Sequence, residues 1–97
     1  MLVPIIENWS EITAEVREIA SSNIHGFHIL GLSVKQVTEV NGYANMLSDT
    51  LNKQIPVHFP DEVVQDLHIS VGSEISCQVR RANLLLNFVH RESVSVR

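Results

Sequence analysis

The feature that most constrains the fold is a run of alternating residues in the last third of the chain. After a turn at Gly72, apolar and polar side chains alternate over ISCQVR, from Ile75 to Arg80. A period of two places the apolar set on a buried face and the polar set in solvent, as in a half-buried strand. A second β-prone run follows at residues 84–89. Together the two runs predict a pair of neighbouring strands, whose apolar face the rest of the chain has to cover.

The size of the chain predicts one domain, over residues 1–97. No apolar run approaches the roughly 20 residues that a helix needs to cross a bilayer. The first residues, MLVPIIENW, carry no basic segment of a secretory signal. We therefore expect a cytoplasmic protein with no membrane partner. The lone Cys77 cannot form an internal disulfide, and its place on the apolar side of its strand predicts a buried, unreactive thiol.

The segment before the first turn fits two templates. Apolar residues from Trp9 to Ile19 recur at helical spacing, and Asn8 with Glu11 has the form of a capping box. Residues 12–17 instead alternate as a strand does. We assign a strand, because the strand-like segments that follow need a partner here to make a sheet.

The middle of the chain reads as two further strands. Residues 27–40 form a long β-prone run, and Gly31 lies where a bent barrel strand often has its kink. After an Asn-Gly turn, residues 43–53 predict a short helix or an ordered lid. Residues 54–59 alternate as a short strand. Pro56 has no N–H, which predicts an edge strand or a position that faces away from the ladder.

A short helix follows the third strand. Pro60 and the two acids after it favour a helix start, because proline fits the first turn and carboxylates favour the positive end of the dipole. Val63, Val64 and Leu67 supply the buried side of about two turns. Residues 93–97 alternate again and continue the sheet. This order of elements predicts a mainly β fold, a five-stranded OB-like β-barrel with one short helix between strands 3 and 4.

Residues 59–82, FPDEVVQDLHISVGSEISCQVRRA, resemble the corresponding part of OB-fold and TOBE-like domains. Those domains often have a short helix, a hydrophobic-x-hydrophobic step, a glycine turn and a strand that ends in basic residues. The resemblance implies a ligand on the face of the second and third strands. The TOBE-like resemblance implies a small oxyanion, bound by backbone amides, serines and Arg80 or Arg81. Residues 41–53 depart from the pattern, because they are longer than a tight hairpin and predict an elaborated loop.

The sequence contains no catalytic signature. It has no phosphate-binding glycine loop, no nucleophile elbow, and no metalloprotease or kinase string. His25 and His28 are three residues apart, which does not place both rings on one face of a strand. The other histidines lie on separate segments, and no thiol cluster completes a ligand set. We therefore predict a non-enzymatic protein with no catalytic residue, no cofactor and no metal site.

The distribution of charge points to one candidate surface. Residues 1–66 carry nine acids and three bases, whereas residues 67–97 carry four arginines and two glutamates. Single-stranded nucleic acids bind in cationic grooves with aromatic stacking platforms. We expect single-stranded DNA or RNA on the outward face of the last strands and the long second strand. The predicted binding residues are Lys35, Tyr43, His58, Arg80, Asn87 and Arg91.

Two other interpretations compete with nucleic-acid binding. Seven basic residues leave little room for the several phosphate contacts of strong nonspecific binding. The arginines are as well explained by a solvated strand edge, where ion pairs with Glu74 or Glu92 contribute little. The other interpretation is assembly. The last strand is predicted to be apolar on both faces, and the core of a small barrel covers only one face of a strand. Leu85 and Val89 are then the predicted interface with a second copy or a larger protein complex.

Overall fold

Six strands and one short helix make up the part of the chain that the computed structural model describes, residues 7–83 and 86–97. The elements are β1 (Ser10–Ser21), β2 (Phe27–Glu39), β3 (Gln54–Pro60), α1 (Asp61–Asp66), β4 (Glu74–Asn83), β5 (Leu86–Val89) and β6 (Ser95–Val96). Short 3-10 turns lie at Ser48–Thr50 and Arg91–Ser93. No helix in these ranges is long and apolar enough to cross a membrane.

Five of the strands close into a ring. β1 pairs with β2, β2 with β3, β3 with β5, β5 with β4, and β4 pairs again with β1. The contact of β3 with β5 is parallel, at His58 and Phe88, and the other contacts around the ring are antiparallel. β6 adds to β4 outside the ring. The predicted mainly β fold, with a closed ring of five strands and one short helix between the third and fourth strands, is confirmed.

The segment that fitted both templates is the strand β1. Ile12, Ala14 and Val16 are fully buried on its inner side. Its ladder to β2 has two register shifts, the second between Val16 and Glu18. Such bulges bend a strand and increase its twist, which allows β1 to pair with β4 over residues 10–15 and with β2 along its length. Tertiary pairing therefore overrides the helical spacing.

The core fills the ring from the inner sides of four strands. Its strand residues are Ile12, Ala14, Val16, Leu30, Leu32, Val34, Ile55, Val57, Phe59, Ile75, Cys77 and Val79. Leu47 joins this core from the connection between β2 and β3, which confirms an ordered, elaborated loop there. One contiguous apolar core is what a small domain of this kind needs for stability.

α1 packs against the core through Val63, which is buried, and Val64. The helix is only six residues long, and it ends in a Schellman motif with the N–H of His68 donating to Gln65 and that of Ile69 to Val64. His68 has a φ of 52°, the left-handed conformation that this motif requires. The prediction that Leu67 is buried is wrong. The helix stops before it, and 38% of Leu67 is exposed.

Side-chain amides complete the ring where backbone pairing is short. Asn87 of β5 is fully buried, and its Nδ2 donates to the Pro56 carbonyl oxygen at 2.8 Å. Its Oδ1 accepts a hydrogen bond from Arg81 Nε at 3.3 Å. Asn8, also fully buried, accepts from the Arg81 N–H and donates to the Arg81 carbonyl oxygen, both at 2.9 Å. Both asparagines thus continue the hydrogen bonding between strands.

The Asn87 bridge also explains the proline in β3. In an extended strand the N–H and C=O of one residue point to the same side. The Pro56 carbonyl points toward β5, so the N–H that proline lacks would face β5 as well, away from the ladder with β2. This agrees with the predicted position of the proline, although β3 is not an edge strand.

We expect Asn87→Ala to lower the free energy of unfolding by about 1–3 kcal/mol, because the half-buried Pro56 carbonyl and the Arg81 guanidinium lose a partner. Urea unfolding, followed by the fluorescence of Trp9, measures the change. Gln36→Ala is the control, since it removes an exposed amide from β2 and is expected to cost within about 0.5 kcal/mol. Equal losses in the two variants would contradict the bridging role of Asn87.

Candidate functional site

Three aromatic rings lie together on the outer face of the ring of strands. Val57 and Phe59 belong to the core, so the alternation of β3 directs His58 outward. The ring centroids of His58 and Phe88 are 5.2 Å apart, and Phe27 lies 5.9 Å from Phe88 and 6.5 Å from His58. We call Phe27, His58 and Phe88 the outer aromatic cluster.

The two phenylalanines of the outer aromatic cluster are half-buried and cover the histidine. Only 5% of His58 is exposed, and its Nδ1 has no hydrogen-bond partner in the described structure. His58 points outward, as the alternation of β3 predicts, but the two phenylalanine rings leave little of its surface open to a nucleic acid. Phe88 also belongs to the outer surface, because it lies against His58.

Strand register extends this cluster into a row across the outer face. Arg80 of β4 lies opposite Phe88, and Ile29 of β2 lies opposite His58. Ala20 of β1 lies opposite Ile29. Arg80 is exposed and forms no ion pair with the residues that the structure describes. The outer surface is therefore apolar over β2 and β3 and cationic where it reaches β4.

The other predicted cations lie apart from this row and have acidic partners. Lys35 Nζ is 3.6 Å from Glu15 Oε1. Arg91 pairs with Glu62 of α1. Tyr43 lies in the loop after β2, with 43% of its surface exposed. Only His58 and Arg80, of the six predicted binding residues, are brought into one row.

Two predicted orientations in β5 are wrong. Asn87 pairs with Arg81 in register and is buried, so it does not share the outer face with Arg80. Val89 lies opposite Val79 and packs against the core, so it faces inward and not toward a partner. Asn87 and Val89 are the two neighbours of Phe88 in β5. Because Phe88 points outward, the alternation of the strand directs both of them inward. The predicted interface residue Leu85 lies outside the described residues.

Arg81 serves the interior of the fold. Its side chain is 12% exposed, and its Nη1 donates to the Met46 carbonyl oxygen at 3.1 Å. The same nitrogen is 3.6 Å from Asp49 Oδ1, and Nε donates to Asn87. These contacts hold the loop after β2 against β4. They also occupy donors that the oxyanion interpretation would need.

A groove lies beside the outer aromatic cluster, over β1, β2 and β3. Its volume is about 340 Å³. It is lined by Glu18, Ala20, Ile29, Gly31, Gln54, Ile55 and Pro56. Binding sites for small ligands commonly begin at about 300 Å³, so this groove is large enough to take one extended side chain.

Gly31 forms the floor of the groove, opposite Glu18 on β1 and Pro56 on β3. A Cβ at this position would lie 2.7 Å from Gln54 Nε2 and 3.2 Å from Glu18 Cβ. Because Gly31 has no side chain, the side chains of Gln54 and Glu18 can lie close to its backbone. The sequence marks Gly31 as a special position but contains no signal for the groove, because the lining residues come together only through the register of the strands.

Cys77 is buried in the core. Burial, with a smaller contribution from the charge of Glu11, raises the pKa of its thiol from 9.0 to about 12. Among residues 7–83 and 86–97, no group of three or more His, Cys, Asp or Glu side chains is placed to hold a metal ion.

No protein-family model matches the sequence, and a search of curated proteins gives no significant match. The features of the described surface that bear on function are the outer aromatic cluster, the row that includes Arg80, and the groove.

We expect the native Cys77 thiol to resist Ellman's reagent at pH 8. A rise of three pKa units lowers the thiolate fraction on the order of a thousandfold, and burial excludes the reagent as well. Full labelling in denaturant is the control, and rapid labelling of the folded chain would contradict the assignment. Because the folded pKa is raised, the unfolded chain loses its proton first, so the free energy of unfolding falls as pH rises from about 9 toward 12.

Proposed function

We propose that this chain is a non-enzymatic, OB-like binding module that docks onto a protein partner through its outer aromatic cluster. The observation that carries the proposal is the position of Phe27 and Phe88 on the outside of a ring whose inside already holds the core. Both phenylalanines are half-buried and keep part of their surface exposed. Aromatic side chains at the centre of an interface contribute strongly to binding, so this surface suits a protein partner.

The OB-fold and TOBE-like resemblance belongs to the same proposal. The strand order and the position of α1 support it, and OB domains bind ligands on the face of the second and third strands. The oxyanion variant has less support, because the donors of Arg81 serve the fold. A cytoplasmic location, and assembly as a homodimer or as a subunit of a larger complex, are parts of the proposal.

Single-stranded DNA or RNA is the second candidate ligand. It is favoured by Arg80, an exposed cation opposite Phe88 in the row, since a cation beside an aromatic ring suits a nucleotide. Two observations weigh against it. Lys35 and Arg91 have acidic partners, and β1 carries several carboxylates that would repel a phosphate chain. We therefore place it after docking to a protein.

Selection of peptides from a displayed random library tests docking without a known partner. We expect apolar peptides to be enriched on the immobilised chain, and Phe88→Ser to weaken their binding at least about tenfold, as truncation of a central aromatic contact does. Leu51→Ser is the matched control, because Leu51 is an exposed apolar residue outside the cluster. Circular dichroism and urea unfolding verify that both variants fold.

Lack of enrichment, or equal binding by the Phe88→Ser variant and the unmodified chain, would overturn docking through the outer aromatic cluster. Light scattering on the same sample gives the mass in solution. The mass of a dimer that Phe88→Ser reduces to a monomer would identify a second copy as the partner.

For the second candidate, we expect fluorescence anisotropy of a labelled single-stranded oligonucleotide to show binding that weakens with salt. Arg80→Ala should then reduce the slope of log K against log salt by about 0.7, the value for one phosphate contact on a single strand. Arg97→Ala removes the same charge near β6 and should leave the slope unchanged. Binding that is absent at low salt would eliminate this candidate.

A further inference from the structure

We infer that the groove over β1, β2 and β3 binds a basic side chain, an arginine in particular, from an extended segment of the partner. The inference rests on the proposed docking function and specifies the chemistry of its partner. It follows from the charge at the rim of the groove, from the shape of its floor, and from its distance to the outer aromatic cluster.

Glu18 supplies a carboxylate at the groove that no cation of the described chain neutralises. Arg17 of β1 and Lys35 of β2 both pair with Glu15 instead. Arg17 Nη2 lies 3.5 Å from Glu15 Oε1, and Lys35 Nζ lies 3.6 Å from the same oxygen. Glu18 is left as the acid that lines the groove, so charge complementarity favours a cationic occupant.

The floor of the groove suits the long stem of a basic residue. Ile29 and Pro56 are apolar, and Gly31 between them has no side chain. Arginine and lysine bury their aliphatic stems on such surfaces while the charged head stays at the rim. An arginine fits better than a lysine, because its planar guanidinium can donate two parallel hydrogen bonds to one carboxylate. The Gln54 carboxamide lies over Gly31 with its donor atom Nε2 nearest, so the acceptor for the guanidinium is the Glu18 carboxylate.

The groove and the outer aromatic cluster are one step apart along the same strand. His58 belongs to the cluster and Pro56 to the groove, two residues away on the same face of β3. Residues two apart in an extended peptide also share a face, about 6.6 Å apart. A partner segment with an aromatic residue two positions from an arginine would therefore fill both sites together.

A capped peptide of sequence Thr-Phe-Thr-Arg-Thr-Phe-Thr tests this pairing, because it has the required spacing in either chain direction. Its twin carries citrulline, the neutral analogue of arginine. The readout is the ¹H–¹⁵N spectrum of the labelled chain, in which Gly31 is one of only four glycine signals. We expect the arginine peptide to shift the Gly31 amide at millimolar concentration, and the citrulline twin to bind about tenfold more weakly, as loss of a charged hydrogen bond predicts.

Glu18→Gln should remove that preference for arginine and weaken binding of the arginine peptide about tenfold. Glu39→Gln is the matched control, since it removes the same charge from an exposed position at the end of β2. Gly31→Ala provides a second variant. Its φ is compatible with alanine, but the new Cβ would displace the Gln54 carboxamide and shallow the groove, so we expect weaker binding of both peptides.

The outcomes separate this inference from the proposed function. Equal affinity for the two peptides, equal effects of Glu18→Gln and Glu39→Gln, or no shift of Gly31 at millimolar peptide would overturn the arginine site. Docking through the outer aromatic cluster would survive those results if Phe88→Ser still weakened the selected peptides. If Glu18→Gln weakens the arginine peptide and Phe88→Ser does not, the groove stands and the cluster is not a docking site.

Discussion

Closure of the ring between β3 and β5 is the constraint on which the rest of the fold depends. The backbones of these two strands meet in a short parallel contact at His58 and Phe88. Pro56 has no N–H that could extend this ladder by a further hydrogen bond. The buried amide of Asn87 takes over by donating to the Pro56 carbonyl. Since an unpaired buried carbonyl is costly, this side chain has to point inward, and its position sets the orientation of the whole strand.

The outer surface follows from that orientation. With Asn87 inside, its neighbour Phe88 must lie outside, where it meets Phe27 and covers His58. The same bonding extends through Arg81, which contacts Asn87, Asn8 and the loop after β2. A single buried network therefore positions both the strand that carries the outer aromatic cluster and the loop at one end of the ring.

Much of the architecture could be predicted from the sequence, because alternation and turn residues act locally. The segment of β1 also has helical spacing, so its local signals do not decide between helix and strand. The assignment to a strand is correct because the neighbouring strands need a partner in the sheet. The errors have a shared origin. Asn87 and Val89 have the same parity, and the polar side chain of Asn87 predicts a surface position for that side of β5, whereas both residues face inward. A polar residue can be inside a small ring only if it finds a partner, and its partners, Pro56 and Arg81, lie on other strands.

The candidate site was harder to predict than the fold. Arg80 and the outward direction of His58 could be recognised from alternation alone. The burial of His58 depends on rings from β2 and β5, and the groove depends on a register shift that aligns Glu18 with Gly31. A single sequence contains no direct signal for such alignments between strands.

The double pairing of β1 has a consequence for synthesis of the chain. Ser10 of β1 pairs with Val79 of β4. The ring therefore cannot close until β4 has been synthesised, although β1 is synthesised first. β1 and β2 can form a hairpin early, but the edge of β1 that belongs to β4 stays unpaired until most of the domain has left the ribosome. Such an edge is open to pairing with other chains. The acids that β1 carries on its solvent side give the nascent hairpin a charged surface during that interval.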